Sequence, residues 1–347
     1  MRKMKTEHKI YYSDARNMKE IQNESVDLMI TSPPYPMIKM WDEIFSEQNP
    51  EIKKALENNN GELAFELMHK ELDKVWNETF RVLKNGGIAC INIGDATRTL
   101  KEVFQIYMSH ARILNHCLKI GFHALPEILW IKETNKPDKF MGSGMLPVGA
   151  YVTLEHEHIL VLRKDGKRKF SSLETEIRRE SAFFWEERNI WFSDKWHDIK
   201  GITQGLNNNK LRDRSGAYPL DLAYRLINMF SIQGDTILDP FLGTGTTTAG
   251  AIVSGRSSIG YEIDKNFKEF VEEKITNISE ITNKITDKRI NEHKTFVEKR
   301  TKEKGELKYI NEEYKFPIMT RQEINIKLPY LKQFNKKEEN VFEANYN

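Results

Sequence analysis

The sequence predicts a large α/β domain built around buried strands. Three observations predict it. Val26-Asp27-Leu28-Met29-Ile30 is an apolar run of the kind that fills a doubly covered sheet, and it stops at Thr31-Ser32-Pro33-Pro34-Tyr35-Pro36. Residues 72–83 carry apolar side chains at helical spacing and are followed by another apolar run, Ile88 to Ile93. Downstream, Thr236-Ile237-Leu238-Asp239 runs into Pro240-Phe241-Leu242-Gly243-Thr244-Gly245-Thr246-Thr247, which reads as strand, glycine turn and helix start.

With 347 residues the chain has room for one large domain of this class and an inserted or appended module. A hydrophobic content of 39% supports a sizeable core, and 30% charged residues implies a well-solvated surface. The formal charge of +2 leaves no global positive field, so any nucleic-acid surface must come from local basic clustering. No apolar run approaches bilayer length, and Met1 to Lys5 lacks the apolar stretch of a signal peptide. A soluble, cytoplasmic protein without a membrane partner is expected. Cys90 and Cys117 offer neither a disulfide framework nor metal-ligand spacing.

Residues 8–14 read as a short strand ending on Asp14, whose carboxylate either caps the next helix or faces a ligand at the sheet's edge. The Pro33-Pro34 pair removes two backbone donors and fixes φ, so Ser32 and Tyr35 sit on a rigid loop with free carbonyls. Such a loop suits a flat exocyclic amino group lying on Tyr35. A proline-rich turn with a core tyrosine is the plainer alternative. From Met37 a mobile loop flanked by helix is expected, passing through Asn58-Asn59-Asn60-Gly61. The helix carrying Leu72, Val75, Trp76, Thr79, Phe80 and Leu83 is expected to end at Gly86-Gly87. Cys90 reads as a small buried hydrophobe, and neither cysteine follows a proline as a Pro-Cys nucleophile would. Residues 103–118 read as a helix, 127–132 and 157–163 as strands. His156-Glu157-His158 invites a metal, but no third ligand is evident nearby in the sequence.

Between 165 and 214, basic residues (Lys167, Arg168, Lys169, Arg178, Arg179, Arg188, Lys195, Arg212, Arg214) interleave with Phe183, Phe184, Trp185, Trp191, Phe192 and Trp196. Arginines and lysines supply phosphate contacts, and a module of this kind can read base edges. The same pattern also describes a small domain with an aromatic core and solvated arginines. Pro219 then opens a helix. After the glycine turn and its helix, Ser258 to Glu262 reads as a strand ending in an acid 19 residues beyond Gly243, the spacing at which an acid meets a ribose diol. Thr248 stands where a dinucleotide fingerprint has its third glycine, so an adenosyl ligand fits better than NAD. A Lys/Glu-rich helix follows to about Lys304, and the tail beyond it shows no clear period.

Thr-Ser-Pro-Pro-Tyr upstream, Asp-Pro-Phe-Leu-Gly-Thr-Gly-Thr-Thr downstream and a basic module between them resemble the β-class DNA amino-methyltransferases. The resemblance covers residues 8–275 and includes that class's circularly permuted motif order. It implies a Rossmann-like, seven-stranded mixed sheet with S-adenosylmethionine over its carboxyl edge. It divides the chain into a catalytic half (1–164), a target-recognition region (165–214), a cofactor-binding half (215–275) and a charged helix and tail (276–347). By motif, Asp239, Pro240, Phe241, Gly243, Thr244, Gly245 and Thr246 would hold the methionyl part and the adenosine. Glu262 would take the ribose hydroxyls, and Asp14 the adenine amino group. The segment from Arg214 to Pro219, with Tyr218-Pro219 in place of the commoner Phe-Pro, would meet the methionine end. Ser32, Pro33, Pro34 and Tyr35 would form the catalytic pocket.

Serine rather than aspartate at the first motif position favours cytosine N4 over adenine N6 in this family. The implied partner is double-stranded DNA, with a homodimer and a restriction endonuclease of the same system, acting without required contact, as further expectations. Two other classes remain open: an RNA or protein amide methyltransferase, whose usual motif has Asn before Pro-Pro, and a non-catalytic DNA-binding module. The second would not need both an intact glycine turn and Glu262.

Overall fold

All six residues of the strand before the proline motif are buried, as a strand covered on both faces requires. The computed structural model describes residues 4–132, 141–201 and 218–347. Among the described residues, eleven strands form one mixed sheet. In chain order they are β1 (Met4–Tyr11), β2 (Val26–Thr31), β3 (Leu83–Ile93), β4 (Phe122–Ala124), β5 (Ile128–Ile131), β6 (His156–Lys164), β7 (Lys195–Trp196), β8 (Thr236–Asp239), β9 (Ser257–Tyr261), β10 (Leu331–Glu338) and β11 (Val341–Tyr346). Their spatial order is β7-β5-β6-β3-β2-β8-β9-β1-β11-β10, with β4 beside β6. The central five, β3-β2-β8-β9-β1, are parallel. β6 runs antiparallel to β3, and β11 antiparallel to β1. The carboxyl ends of β2, β8 and β9 and the amino end of β6 therefore share one edge, where open α/β sheets gather ligands.

The helices are α1 (Asp42–Gln48), α2 (Pro50–Glu57), α3 (Gly61–Val82), α4 (Ser109–Lys119), α5 (Ser172–Glu180), α6 (Trp185–Trp191), α7 (Leu220–Phe230), α8 (Thr246–Ser254) and α9 (Lys268–Lys304). On one face of the sheet, Met68, Leu72, Val75 and Trp76 of α3 pack with Met29, Ala89 and Ile91. On the other, Leu222, Ala223 and Leu226 of α7 cover Leu28, Ile30 and Ile237. α8 is buried along its whole length, its Ala249 and Ile252 packing with Val271 and Ile275 of α9.

The expected Rossmann-like sheet is present and broader than seven strands. Four local readings change. Residues 37–60 are not a loop: α1 and α2 fold there, and Asn60 caps α3 by accepting the Leu63 N–H at 3.1 Å. α3 ends at Val82, before the glycines, and β3 begins at once. Gly86, at φ 82°, allows a close crossing, since a Cβ there would lie 2.4 Å from the Arg168 nitrogen. Residues 103–107 pair with Ala96–Leu100 as a hairpin, and only α4 is helical. Val103-Phe104-Gln105-Ile106-Tyr107 suits a pleated surface, and Phe104 stacks on Tyr151 at 4.6 Å. The tail, lastly, supplies two strands of the main sheet and a separate short pair, Tyr309–Ile310 with Pro317–Ile318. β10 is a mostly exposed edge strand, so its Lys/Glu content hid it from a search for apolar period.

Candidate active site

The two motifs meet because β2 and β8 are neighbours in the sheet. Thr31 Oγ1 donates to Asp239 Oδ1 at 2.6 Å, tying the proline loop to the glycine turn. The Phe241 N–H also donates to Oδ1, and Thr247 Oγ1 and the Tyr218 hydroxyl to Oδ2. Asp239 is buried, and that burial raises its pKa against these donors. Its lone pairs hold the two loops in register.

Gly243 and Gly245 have φ values of 52° and 82°, the left-handed region that side chains avoid. A Cβ on Gly243 would find only the Phe241 carbonyl oxygen, at 3.9 Å, whereas one on Gly245 would press on Val271 Cγ1 at 3.2 Å. Glu262, at the end of β9, accepts the Gly243 N–H at 2.8 Å and the Asp264 N–H at 2.9 Å. Burial dominates its ionisation and pushes its pKa up to about 7. Behind the turn, Lys274 donates to Thr244 Oγ1 (3.1 Å) and Thr246 Oγ1 (2.7 Å), and burial lowers its pKa to about 8. Trp76 meets the Phe241 ring edge-on at 6.0 Å. Asp14 caps no helix, because turns rather than a helix follow β1; it accepts the Arg16 N–H at 2.9 Å and lines the cavity.

At the proline loop, Ser32 Oγ lies 3.2 Å from the Tyr35 hydroxyl, which donates to Glu157 Oε2 at 2.9 Å. Asn92 Nδ2 donates to the same oxygen at 2.6 Å, and Lys132 Nζ to Glu157 Oε1 at 2.6 Å. The Tyr35 ring is half-buried rather than exposed, and a Cβ on Gly94 would come within 2.9 Å of it. Burial, first, and the nearby Glu157 carboxylate hold the Tyr35 hydroxyl well above its ordinary pKa.

A cavity of about 310 Å³ joins the two loops. Ser32, Pro33, Pro34 and Tyr35 line one end. Asp14, Asp239, Pro240, Phe241, Gly243, Thr244, Thr246 and Glu262 line the other, with Tyr218 between. Pro219 and Gly245 stand behind, as the residues that precede α7 and α8. Trp41, Phe45, Leu72 and Val75 close an apolar side. Asn92, Lys132 and Glu157 escaped the sequence reading. The one available signal was an asparagine inside an otherwise apolar strand; the histidines flanking Glu157 drew attention away from it.

The basic segment is placed differently from expectation. Arg168 lies at the sheet's amino edge, the end opposite the cavity. Its guanidinium donates to Asp235 at 2.6 and 3.0 Å and to Glu174 at 3.0 Å, which makes it a brace rather than a DNA contact. Lys169, Arg178 and Arg179 are exposed near that same edge, with Arg178 over the Phe170 ring. Arg188 on α6 and Lys195 on β7 are also exposed. Among the described residues, only the segment's far end rises to the cavity, where a Cβ on Gly201 would lie 3.8 Å from Lys132 Cε. Phe184, Trp191 and Trp196 are buried as core aromatics. Arg212, Arg214 and the stretch to Ala217 lie outside the described residues. His158 does gain neighbours with ligand atoms: Asp95 and His110 lie within 4.8 Å. His110 is Asp95's ion-pair partner at 2.8 Å and stacks on His158 at 3.8 Å.

The N6/N4 DNA methylase family model matches residues 26–273. The type II methyltransferase M.MthZI of Methanothermobacter thermautotrophicus is 50% identical over 345 residues, covering 99% of this chain and 96% of that protein. M.MjaI of Methanocaldococcus jannaschii, also a type II methyltransferase, is 52% identical over 281 residues, covering 78% of this chain and 91% of its own. Among solved structures, the putative DNA modification methylase TTHA0409 of Thermus thermophilus, crystallised with S-adenosyl-L-methionine, superposes with a TM-score of 0.61 at 31% identity. That match covers 78% of this chain and 94% of the other.

Proposed function

This chain belongs to the DNA methylase family, as a β-class amino-methyltransferase, and from that premise we propose that it methylates the exocyclic N4 of cytosine in double-stranded DNA. S-adenosyl-L-methionine is the donor in this reading, and a restriction–modification system the setting. The observation that carries it is the cavity shared by Ser32-Pro33-Pro34-Tyr35 and the Gly243–Glu262 edge.

The residues fit the donor. Gly243 leaves open space where a side chain would stand, Glu262 offers a buried acceptor for a diol, and the apolar side suits a purine ring. When bound, the donor supplies a methyl group on a sulfonium, which asks only for an in-line lone pair. A cytosine amino nitrogen is conjugated and weakly nucleophilic. Ser32 Oγ and the Pro33 carbonyl, as acceptors for its hydrogens, would favour the pyramidal form as charge develops. The target base must leave the duplex to enter, and Tyr35 offers the face for it. Ser32, rather than an acid, supports cytosine: a hydroxyl can accept from N4–H or donate to N3, whereas a carboxylate only accepts. For sequence recognition we retain residues 165–214, with contact expected from their far end, beyond Lys195.

The test is mass spectrometry of nucleosides from plasmid DNA incubated with the protein and donor. N4-methylcytosine is expected. N6-methyladenine would keep the fold and chemistry and overturn the base; label on RNA or protein instead would overturn the substrate class.

A further inference from the structure

We propose that Glu157 is the terminal proton acceptor of a relay running from Ser32 through the Tyr35 hydroxyl, a role that rests on Ser32 facing the target amino group. Attack by the amino nitrogen forms the new N–CH3 bond as the sulfur–methyl bond breaks. The nitrogen is then left with a positive charge and a hydrogen it must shed. Inside the cavity that proton needs a path. Ser32 Oγ has its hydroxyl directed at the Tyr35 oxygen at 3.2 Å, and Tyr35 donates in turn to Glu157 Oε2 at 2.9 Å. Each donor thus points onward. As the amino hydrogen moves to Ser32 Oγ, the serine proton passes to Tyr35 and the tyrosine proton to Glu157. Both hydroxyls end as they began, the base is neutral, and the carboxylate is a carboxylic acid that later returns the proton to solvent.

The surroundings prepare Glu157 for this. Lys132 from the end of β5 and Asn92 from β3 each donate to it at 2.6 Å, holding the anion in place. The side chain is 14% exposed, enough to exchange with water after turnover. Tyr35, held neutral by burial, conducts rather than stores the proton.

The test combines Glu157→Gln, Tyr35→Phe and the double variant in single-turnover methyl transfer at saturating donor. Calorimetric affinity for the donor and thermal melting are measured alongside. Each single change should slow transfer on the order of 10²–10⁴-fold, the range of positioned proton transfer. The double variant should be no slower than the worse single one, because both cut the same path. Donor affinity should stay within threefold, and added formate should restore part of the rate to Glu157→Ala. Multiplying losses, a Tyr35→Phe rate within threefold of wild type, or no formate rescue would each overturn the relay. The methylated base, read by mass spectrometry in the same reactions, reports separately on the target: a relay that holds with an unexpected base, or fails with the expected one, distinguishes the two.

Discussion

Ser32 and Glu262 carry the two ends of the reaction proposed for this chain, and each predicts a distinct defect. Removing one oriented polar group at a developing charge typically costs about 2.7–4 kcal/mol of barrier, or 10²–10³ in rate. Ser32→Ala should therefore slow turnover on that scale while donor affinity by calorimetry stays nearly intact; a matched loss of affinity would move Ser32 out of the chemistry. Glu262 predicts a pH effect. Its folded-state pKa, raised to about 7, makes its contribution to stability fully present below the ordinary carboxylate range and lost as pH rises through about 7. Ligand binding runs the other way, because ribose hydroxyls donate to the ionised form. Donor affinity should fall by up to about tenfold per unit as pH drops below 7, and Glu262→Gln should flatten that dependence. A wild-type affinity constant from about pH 5.5 to 8 would show that Glu262 does not meet the ligand. These two residues were legible because Ser32 sits in a contiguous motif and Glu262 ends the next strand at a telling spacing from Gly243. Asn92, Lys132 and Glu157 were not, since they come from three strands whose adjacency no spacing rule encodes.

The glycine turn was legible as an element, down to its strand, its helix and its distal acid, because its chemistry is local. The structure separates its two glycines. At Gly243 an added methyl would meet only the Phe241 carbonyl oxygen, at 3.9 Å, although the φ of 52° still strains a side chain, so Gly243→Ala should weaken donor binding at least tenfold and lower melting less than a change at Gly245. At Gly245 the obstacle is Val271 and a φ of 82°. Strain of this kind costs on the order of 1–3 kcal/mol, so Gly245→Val should lower the melting temperature as well as abolish micromolar binding, with the far-ultraviolet circular dichroism unchanged below the transition. Equal melting of the two variants would refute the distinction. Elsewhere local signals misled. Residues 103–107 carry helix-compatible spacing, but the hairpin they join is decided by Phe104 stacking on Tyr151 and by pairing to Ala96–Leu100. The basic segment was legible as composition and not as position: Arg168 answers to Asp235 at the opposite edge.

At the scale of the molecule, the polar tail completes the sheet. Phe342 and Tyr346 are buried, and the Tyr346 hydroxyl donates to the Ile252 carbonyl at 2.7 Å. Two such side chains are worth about 1.5–3 kcal/mol each at most, and their removal also bares β1 as an edge. Deleting residues 331–347 should lower the melting temperature and promote association by light scattering, while any protein that stays folded keeps its donor affinity, because the cavity is lined by other strands. Unchanged melting would show the hairpin to be dispensable. No apolar period announced β10, since an edge strand of lysines and glutamates is built to be unattractive. The pairing has a further consequence, in time rather than space. Met4 sits opposite Tyr346, and His8 between Ser258 and Phe342. During synthesis β1 is made first and both its neighbours late, so Met4, Thr6, His8 and Ile10, all buried in the finished fold, must wait in solvent or in a chaperone's keeping. Closing so long a loop adds little to the equilibrium cost, which grows only logarithmically with length. It weighs on the rate, so this edge is expected to be the last part of the sheet to form.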